Sequence, residues 1–331
     1  MKSTIRKIHN LESIFNSFET RFGTTVQLEL LPDMEESEIT REDGLVEHHQ
    51  GVYKLDGNEN YIITGSSVDE IGYFYFVEDG FIIPSNVSEK YLWPIDSALS
   101  HPGGIQVADT ILAVGNERYN GLRTDSNISH IRFFDVDNPR GTYELSHLCI
   151  NRKGENKIAS AIGLTRLNGQ WILAVRAKEE MDFYLLDESI NDIRHPESKF
   201  RLIGSLNLAF YGFRAHQSIN LFFDQFDQIY LIGMSDGSSK HDRCWLYKLN
   251  FNRSNNRING ISNAESLSHL HFKREENGPR FKWGSCVHFN EQNKLEMISI
   301  SAHIDEKVVR TNKWTSNLAA IAPVNQPQLI S

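Results

Sequence analysis

Cysteine is scarce in this chain. Cys149, Cys244 and Cys286 are an odd number and show no C-x-x-C spacing. That excludes a disulfide framework and a zinc ribbon and leaves three thiols suited to a reducing compartment. Basic charge is also short. The formal net charge is -9 and the pI about 5.8, so the basic footprint of a nucleic-acid binder is missing and adhesion to an anionic membrane is disfavoured. No apolar run is long enough to span a bilayer. The N-terminal stretch MKSTIRKIHNLESIF has no continuous apolar core of the kind a secretory signal carries. The expected compartment is the cytoplasm, although a secreted form stripped of its leader would read the same. What remains is the composition of a soluble globular protein, with 40% hydrophobic and 23% charged residues.

Aromatics are plentiful. The chain carries 19 Phe and 11 Tyr, many in short runs such as Tyr73-Phe74-Tyr75-Phe76, and such runs favour pleated, half-buried surfaces. Five segments repeat one plan, an apolar run, a turn rich in Asn, Asp and Gly, and a second apolar run. They are HQGVYKLDGNENYIITG from His49, HPGGIQVADTILAVG from His101, ASAIGLTRLNGQWILAV from Ala159, HQSINLFFDQFDQIYLIG from His216 and GSCVHFNEQNKLEMISIS from Gly284. The markers Val52, Ile105, Ile162, Ile219 and Val287 set a period of roughly 55 residues, long for a four-stranded propeller blade. A third apolar run follows in four of the five, as in Phe183-Tyr184-Leu185-Leu186. In the fifth, Val308-Val309-Arg310 is weaker, and Leu318 to Ala322 is the expected last strand. The alternating Thr25 to Leu30 reads as a strand that closes the ring. The expected fold is therefore all-β, a five-bladed β-propeller over residues 25–331.

Residues 1–24 read differently. Ile5, Ile8, Leu11, Phe15, Phe18 and Phe22 recur at helical spacing, Ser3 or Thr4 is placed to cap the start, and Gly23 to end it. An N-terminal amphipathic helix packed on the propeller is expected.

A propeller gathers its inner-strand side chains on one axis, so the starts of these strands mark the expected site. His49, His101 and His216 open three repeats, and His288 lies slightly displaced in the fifth. Gly103 and Gly104 permit close backbone approach, to a ligand or to a neighbouring blade. His101, Gln106, His216, Gln217, Asn220, Ser285 and His288 form the expected ligand-binding funnel, for a small polar or anionic molecule or a peptide. An alternative is a metal-dependent hydrolase or oxidoreductase in which His49, His101 and His216 hold a divalent metal. Against it stands the bland role of each imidazole, anchoring its own blade by hydrogen bonds. A third reading is a protein-interaction scaffold. Cys286 or Ser285 beside His288 or His216 is a weaker, nucleophilic possibility. A carboxylate pair would have to come from Glu47, Asp69, Glu78, Asp96, Glu117 and Asp224, and the spacing selects none. Oligomeric state and the identity of any catalytic residue stay open.

The motifs HPGGIQVADTILAVG and SHIRFFDV, with GSCVHFNE, resemble a loosely defined group of bacterial β-propeller proteins that share an HPGGIQ-type inner strand and mostly lack an assigned activity. The likeness is clearest over residues 101–186 and fainter to residue 303. It implies the fold and a channel-facing His101 and Gln106, and no particular reaction.

Overall fold

The computed structural model describes residues 7–21, 23–30, 48–57, 59–66, 71–83, 92–96, 99–119, 124–154, 157–186, 192–237, 240–304 and 308–320. The chain is all-β with almost no helix. It begins with β1 (Lys7–Ile8), a short helix α1 (Leu11–Asn16) and β2 (Thr24–Leu30). Five antiparallel meanders follow. The first is β3 (His48–Lys54), β4 (Tyr61–Ser66), β5 (Gly72–Glu78) and β6 (Phe81–Ile83), with β7 (Trp93–Asp96) also on β5. The second is β8 (His101–Ala108), β9 (Ile111–Tyr119) and β10 (Thr124–Asp135), and β10 is flanked by β11 (Tyr143–Glu144) and β12 (Ile150–Lys153). The third is β13 (Ala161–Leu167), β14 (Gln170–Arg176), β15 (Glu180–Leu186) and β16 (Phe200–Asn207). The fourth is β17 (Ser218–Asp224), β18 (Ile229–Asp236), β19 (His241–Ser254) and β20 (Arg257–Lys273). The fifth is β21 (Arg280–Phe289), β22 (Lys294–Ile300) and β23 (Val308–Ala319).

Local chemistry sets these hairpins. Asn168 and Gly169 both take positive φ, 49° and 83°, as do Asp79 and Gly80 at 50° and 86°. That is the two-residue turn whose twist matches flanking strands, and Asn, Asp and Gly tolerate it best. The middle strands are covered on both faces by neighbouring meanders. Tyr61, Ile62, Ile63, Phe74 and Tyr75 are fully buried, and such strands read as unbroken apolar runs rather than alternations.

The first strands β3, β8, β13, β17 and β21 neighbour one another in turn, and β21 returns to β3. The meanders thus stand radially about one axis, the arrangement of a β-propeller. The closure is made by both ends of the chain. β2 pairs antiparallel with β23 from Thr24 opposite Lys313 to Glu29 opposite Val308, completing the fifth meander. The expected closing role of Thr25 to Leu30 is met. Leu318 and Ala319 are instead the tail of β23, and residues 321–331 lie outside the described residues.

The N-terminal expectation needs correction. Among the described residues of this segment, α-helix occupies six, Leu11–Asn16. Lys7 and Ile8 pair in parallel with Phe223 and Asp224 of β17, and Gln225 N–H donates to Ile8 O at 2.9 Å. Asn10 then turns left-handed (φ 53°), which breaks any helix running through it. The free edge of β17 offers backbone partners that a marginal isolated helix would have to supply itself. The apolar spacing still describes burial. Ile8, Leu11, Phe15 and Phe18 wedge against Met234, Phe272, Met297 and Trp314, between the fourth and fifth meanders. Ser3, Thr4, Ile5 and Phe22 lie outside the described residues. No described helix is long and apolar enough to cross a membrane.

Candidate functional site

The inner strands define two ends of the axis, an upper mouth where they begin and a lower mouth where they end. The HPGGIQ segment of β8 separates the two. A Cβ on Gly103 would lie 2.3 Å from Ser160 O, and one on Gly104 would lie 2.5 Å from Gln217 O. Only glycine lets β8 reach the third and fourth meanders this closely. Gly284, at φ 131°, packs in the same way on the backbone of Gly51. One layer below, Gln106 Oε1 accepts from Leu164 N–H (2.9 Å) and Leu221 N–H (2.8 Å), and its Nε2 donates to Leu221 O (3.1 Å). Ser218 Oγ accepts from Ser285 N–H (3.2 Å) and Asn220 Oδ1 from Val287 N–H (2.7 Å). Gln106 and Asn220 are therefore staples that satisfy buried backbone of neighbouring strands. Ser285, fully buried, belongs to the same packing. This departs from the expected ligand-facing roles of these three residues.

The histidines do not converge. His49 donates from Nδ1 to Ser301 O and accepts at Nε2 from Tyr75 O–H, both at 2.8 Å. His216 packs on Gly233, with Nε2 3.2 Å from Tyr247 Oη. His101 Nε2 accepts from Gln50 Nε2 at 3.1 Å. His288 Nε2 sits 3.3 Å from Glu296 Oε2 at the lower mouth. Among the described residues no group of three or more His, Cys, Asp or Glu is placed to hold a metal ion, so the trio His49, His101 and His216 does not form the expected centre. The physical reason is that His49 turns between Tyr75 of its own meander and the Ser301 carbonyl of the fifth, and His216 toward Tyr247 of its own. Burial pushes His49 and His101 down to about 4 and His216 to about 3. All three are neutral near pH 7.

The nucleophile reading fails on the same ground. Cys286 is fully buried, and burial pushes its thiol up to about 12, so the reactive thiolate is suppressed. Of the candidate carboxylates, Glu47 and Asp69 lie outside the described residues. Glu78 is exposed at the end of β5. Asp96 accepts from His130 Nδ1 and Arg132 Nη2, each at 2.6 Å. Asp224 caps a turn through Phe226 N–H and Gln228 N–H. Glu117 is the exception. It is 2% exposed, and burial holds its carboxyl up near 7 although Arg176 and Arg152 pull it down.

Glu117 stands at the upper end of β9, in register with His101 of β8 and Ser129 of β10. Across from it, Arg176 ends β14. Its Nη1 donates to Ser160 Oγ at 2.6 Å, while its Nε is buried and makes no hydrogen bond among the described residues. Burial lowers the Arg176 pKa and Glu117 opposes that shift. Arg152 is already committed to Asp182 and to Ile158 O. Partly exposed Ser160, Gln217, His101, His48 and Trp283 bring one or more side chains from every meander to this mouth. The His48 ring centroid lies 5.8 Å from that of His101 and 5.5 Å from that of Trp283, and Lys282 Nζ sits 4.6 Å over the indole. Of the expected funnel, then, His101 and Gln217 are at the upper mouth, His216 is buried beside it, and His288 is at the opposite end. Arg176 went unnoticed in the sequence because it closes a second strand. The one available signal was a charge at the end of the apolar run Trp171-Ile172-Leu173-Ala174-Val175.

The lower mouth opens between the fifth and first meanders into a cavity of about 610 Å³, lined by Lys54, Glu59, His288, Asn290, Glu296 and Lys313 among others. Its polar groups mostly satisfy one another. Lys313 pairs with Glu59 at 3.0 Å, Asn290 Nδ2 donates to Glu296 Oε1 at 2.8 Å, and Lys54 donates to Gly57 O at 2.9 Å. A ligand here would have to displace contacts already made.

Acid should weaken this protein. His49, His101 and His216 bind protons more readily unfolded than folded, so between about pH 6.5 and 4 the unfolded state takes up more protons and stability falls as pH falls. Glu117 and Asp242 act oppositely, since burial makes their folded carboxyls the more basic, but they are two groups against four once His48, lowered to about 4, is counted. The expected net loss is on the order of a few kcal/mol, at roughly 1.4 kcal/mol per pKa unit. Urea midpoints measured from pH 7.5 to 5 check this. A midpoint that does not move would contradict it.

Comparison with known proteins leaves family membership open. No protein-family model and no curated protein matches the chain. Remote likeness to solved structures does occur. A GH43 endo-arabinanase from Bacillus licheniformis is 12% identical with a TM-score of 0.46, covering 82% of this chain and 93% of that one. A mutant Aleuria aurantia lectin in complex with alpha-methyl-L-fucoside is 10% identical with a TM-score of 0.41, covering 85% and 80%. GH43B from the Bacteroides ovatus xyloglucan locus is 9% identical with a TM-score of 0.42, covering 81% of this chain, which spans about half (52%) of that one. Likeness this remote carries no functional argument, and the propeller arrangement rests on the strand order described above.

Proposed function

We propose that the five meanders are the blades of a five-bladed β-propeller, and that it binds a small organic anion at its upper mouth with Arg176 as the anchor. The observation that carries this is Arg176 itself. Its guanidinium is partly buried and held in place by Ser160, and its Nε makes no hydrogen bond among the described residues. A buried donor left unmade costs about 1–3 kcal/mol, and a planar carboxylate is the acceptor whose geometry matches the guanidinium fork. The surrounding charge agrees. Arg152, Lys282 and Arg214 are further cations near this mouth among the described residues, and the buried carboxyl of Glu117 is held neutral to about pH 7. The lower cavity has the opposite balance, with Asp56, Glu59, Glu291 and Glu296 against Lys54 and Lys313.

Isothermal titration with acetate, succinate, citrate and inorganic phosphate tests the reading at pH 6.5. At least one carboxylate should bind, and Arg176→Gln should weaken it by roughly 10- to 100-fold, the value of one charge-assisted contact of about 1.5–3 kcal/mol. A thermal melt of the variant confirms folding. Equal affinity in wild type and Arg176→Gln would overturn the assignment.

A further inference from the structure

We infer that ligand binding at the upper mouth is coupled to a proton, with Glu117 becoming protonated as the carboxylate of a small organic acid docks on Arg176. The inference rests on the anion site proposed above. Glu117 is enclosed on β9 between His101 of β8 and Ser129 of β10, with little water to solvate a charge. The charged groups that face it decide its state. Arg152, from β12, is spent on Asp182 of β15 and on Ile158 O. Lys157 is paired with Glu180 at 3.1 Å and with Asp182 at 3.2 Å. His101 and, beyond Arg176, His216 are neutral imidazoles at neutral pH. Arg214 acts on His216 and not appreciably on Glu117. Arg176 of β14 is bonded to Ser160, beside Ala159, which packs against Gly115 of β9 two residues before Glu117; among the described residues it is the cation acting on Glu117 that is not already paired with a carboxylate.

One guanidinium cannot neutralise two carboxylates here. When the ligand takes Arg176, Glu117 keeps its desolvation, loses the larger of the two positive charges that support its ionised form, and gains a like charge as neighbour. Each of these changes favours the neutral acid. The proton comes from solvent and forms an O–H on Glu117, no other covalent bond changes, and the complex gains one anion and up to one proton. A protonated Glu117 can also donate its O–H to the ligand, a role that an ionised carboxylate lacks. The device makes this mouth an acid-favoured organic-anion binder.

The test is calorimetric titration of the full chain with acetate at pH 6.0, 7.0 and 8.0, each in two buffers of different ionisation enthalpy. Affinity should fall by about tenfold per pH unit above 7, and the buffer dependence should report net proton uptake approaching one at pH 8. Glu117→Gln should lose the pH dependence, and the wild-type proton count stands without that variant should it fail to fold. Acetate binding that is equally tight at pH 6.0 and 8.0 with no proton uptake would overturn the coupling and leave the anion site intact. Absence of binding by acetate at every pH, with inorganic phosphate also silent, would overturn the site and the coupling together.

Discussion

Gly104→Val abolishes stable folding, and Gly104→Ala lowers stability by at least about 3 kcal/mol. Overpacking a core costs about 1–3 kcal/mol where side chains can shift aside. Here they cannot, because the atoms met are backbone. A Cβ on Gly104 would lie 2.5 Å from Gln217 O and 2.7 Å from Ser218 Cα, and one on Gly103 would lie 2.3 Å from Ser160 O. Relief would require moving β8 away from β13 or β17, which breaks the Gly104 N–H to Ser160 O bond of 3.1 Å and loosens the centre on which every meander leans. Gly260→Ala is the matched control, since its nearest neighbour is the Asn252 side chain at 3.3 Å, and it should stay within about 1 kcal/mol of wild type. Urea denaturation of the three variants separates these outcomes. A Gly104→Ala protein as stable as Gly260→Ala would show that the axis is not closed by this contact.

Gln106→Leu should cost roughly 3–6 kcal/mol. The substitution keeps the volume and removes one acceptor and one donor that together serve Leu164 N–H, Leu221 N–H and Leu221 O. Each buried backbone group left unpaired costs about 1–3 kcal/mol, and the site is too enclosed for bulk water to replace the amide, with Gln106 3% exposed. The loss should appear in the unfolding free energy and leave anion affinity at the upper mouth nearly untouched, because Gln106 faces the lower side of the plug. A Gln106→Leu variant of wild-type stability would mean the amide is not a staple.

Much of the architecture was legible in the chain because strands and turns write themselves locally. The markers Val52, Ile105, Ile162, Ile219 and Val287 lie on β3, β8, β13, β17 and β21, the five strands that circle the axis. Asp109, Asn168, Asp227 and Asn293, which lie in the Asn-, Asp- and Gly-rich turns of the repeats, all take positive φ. The N-terminal segment was misread because its apolar spacing reports burial, and burial alone does not choose between a helix and a strand paired on β17. The histidines were misread for a related reason. Equivalent starting positions on inner strands do not make side chains converge, and Tyr75, Ser301 and Tyr247 draw His49 and His216 sideways. The double glycine gave two readings from sequence, ligand approach or blade packing, and the distances to Ser160 and Gln217 decide for packing. The placing of Glu117 and Arg176 at one mouth was beyond reach, because it brings together the far ends of β9 and β14, and no local pattern encodes that.

The most direct test is a crystal structure of the protein soaked with citrate at pH 6.5. The account predicts density for a carboxylate within hydrogen-bond distance of the Arg176 guanidinium, beside Ser160 and Glu117, with the Gly103–Gly104 plug intact below it. Citrate bound only in the lower cavity near Lys54 and Lys313, with Arg176 Nε bonded to a protein acceptor instead, would contradict it.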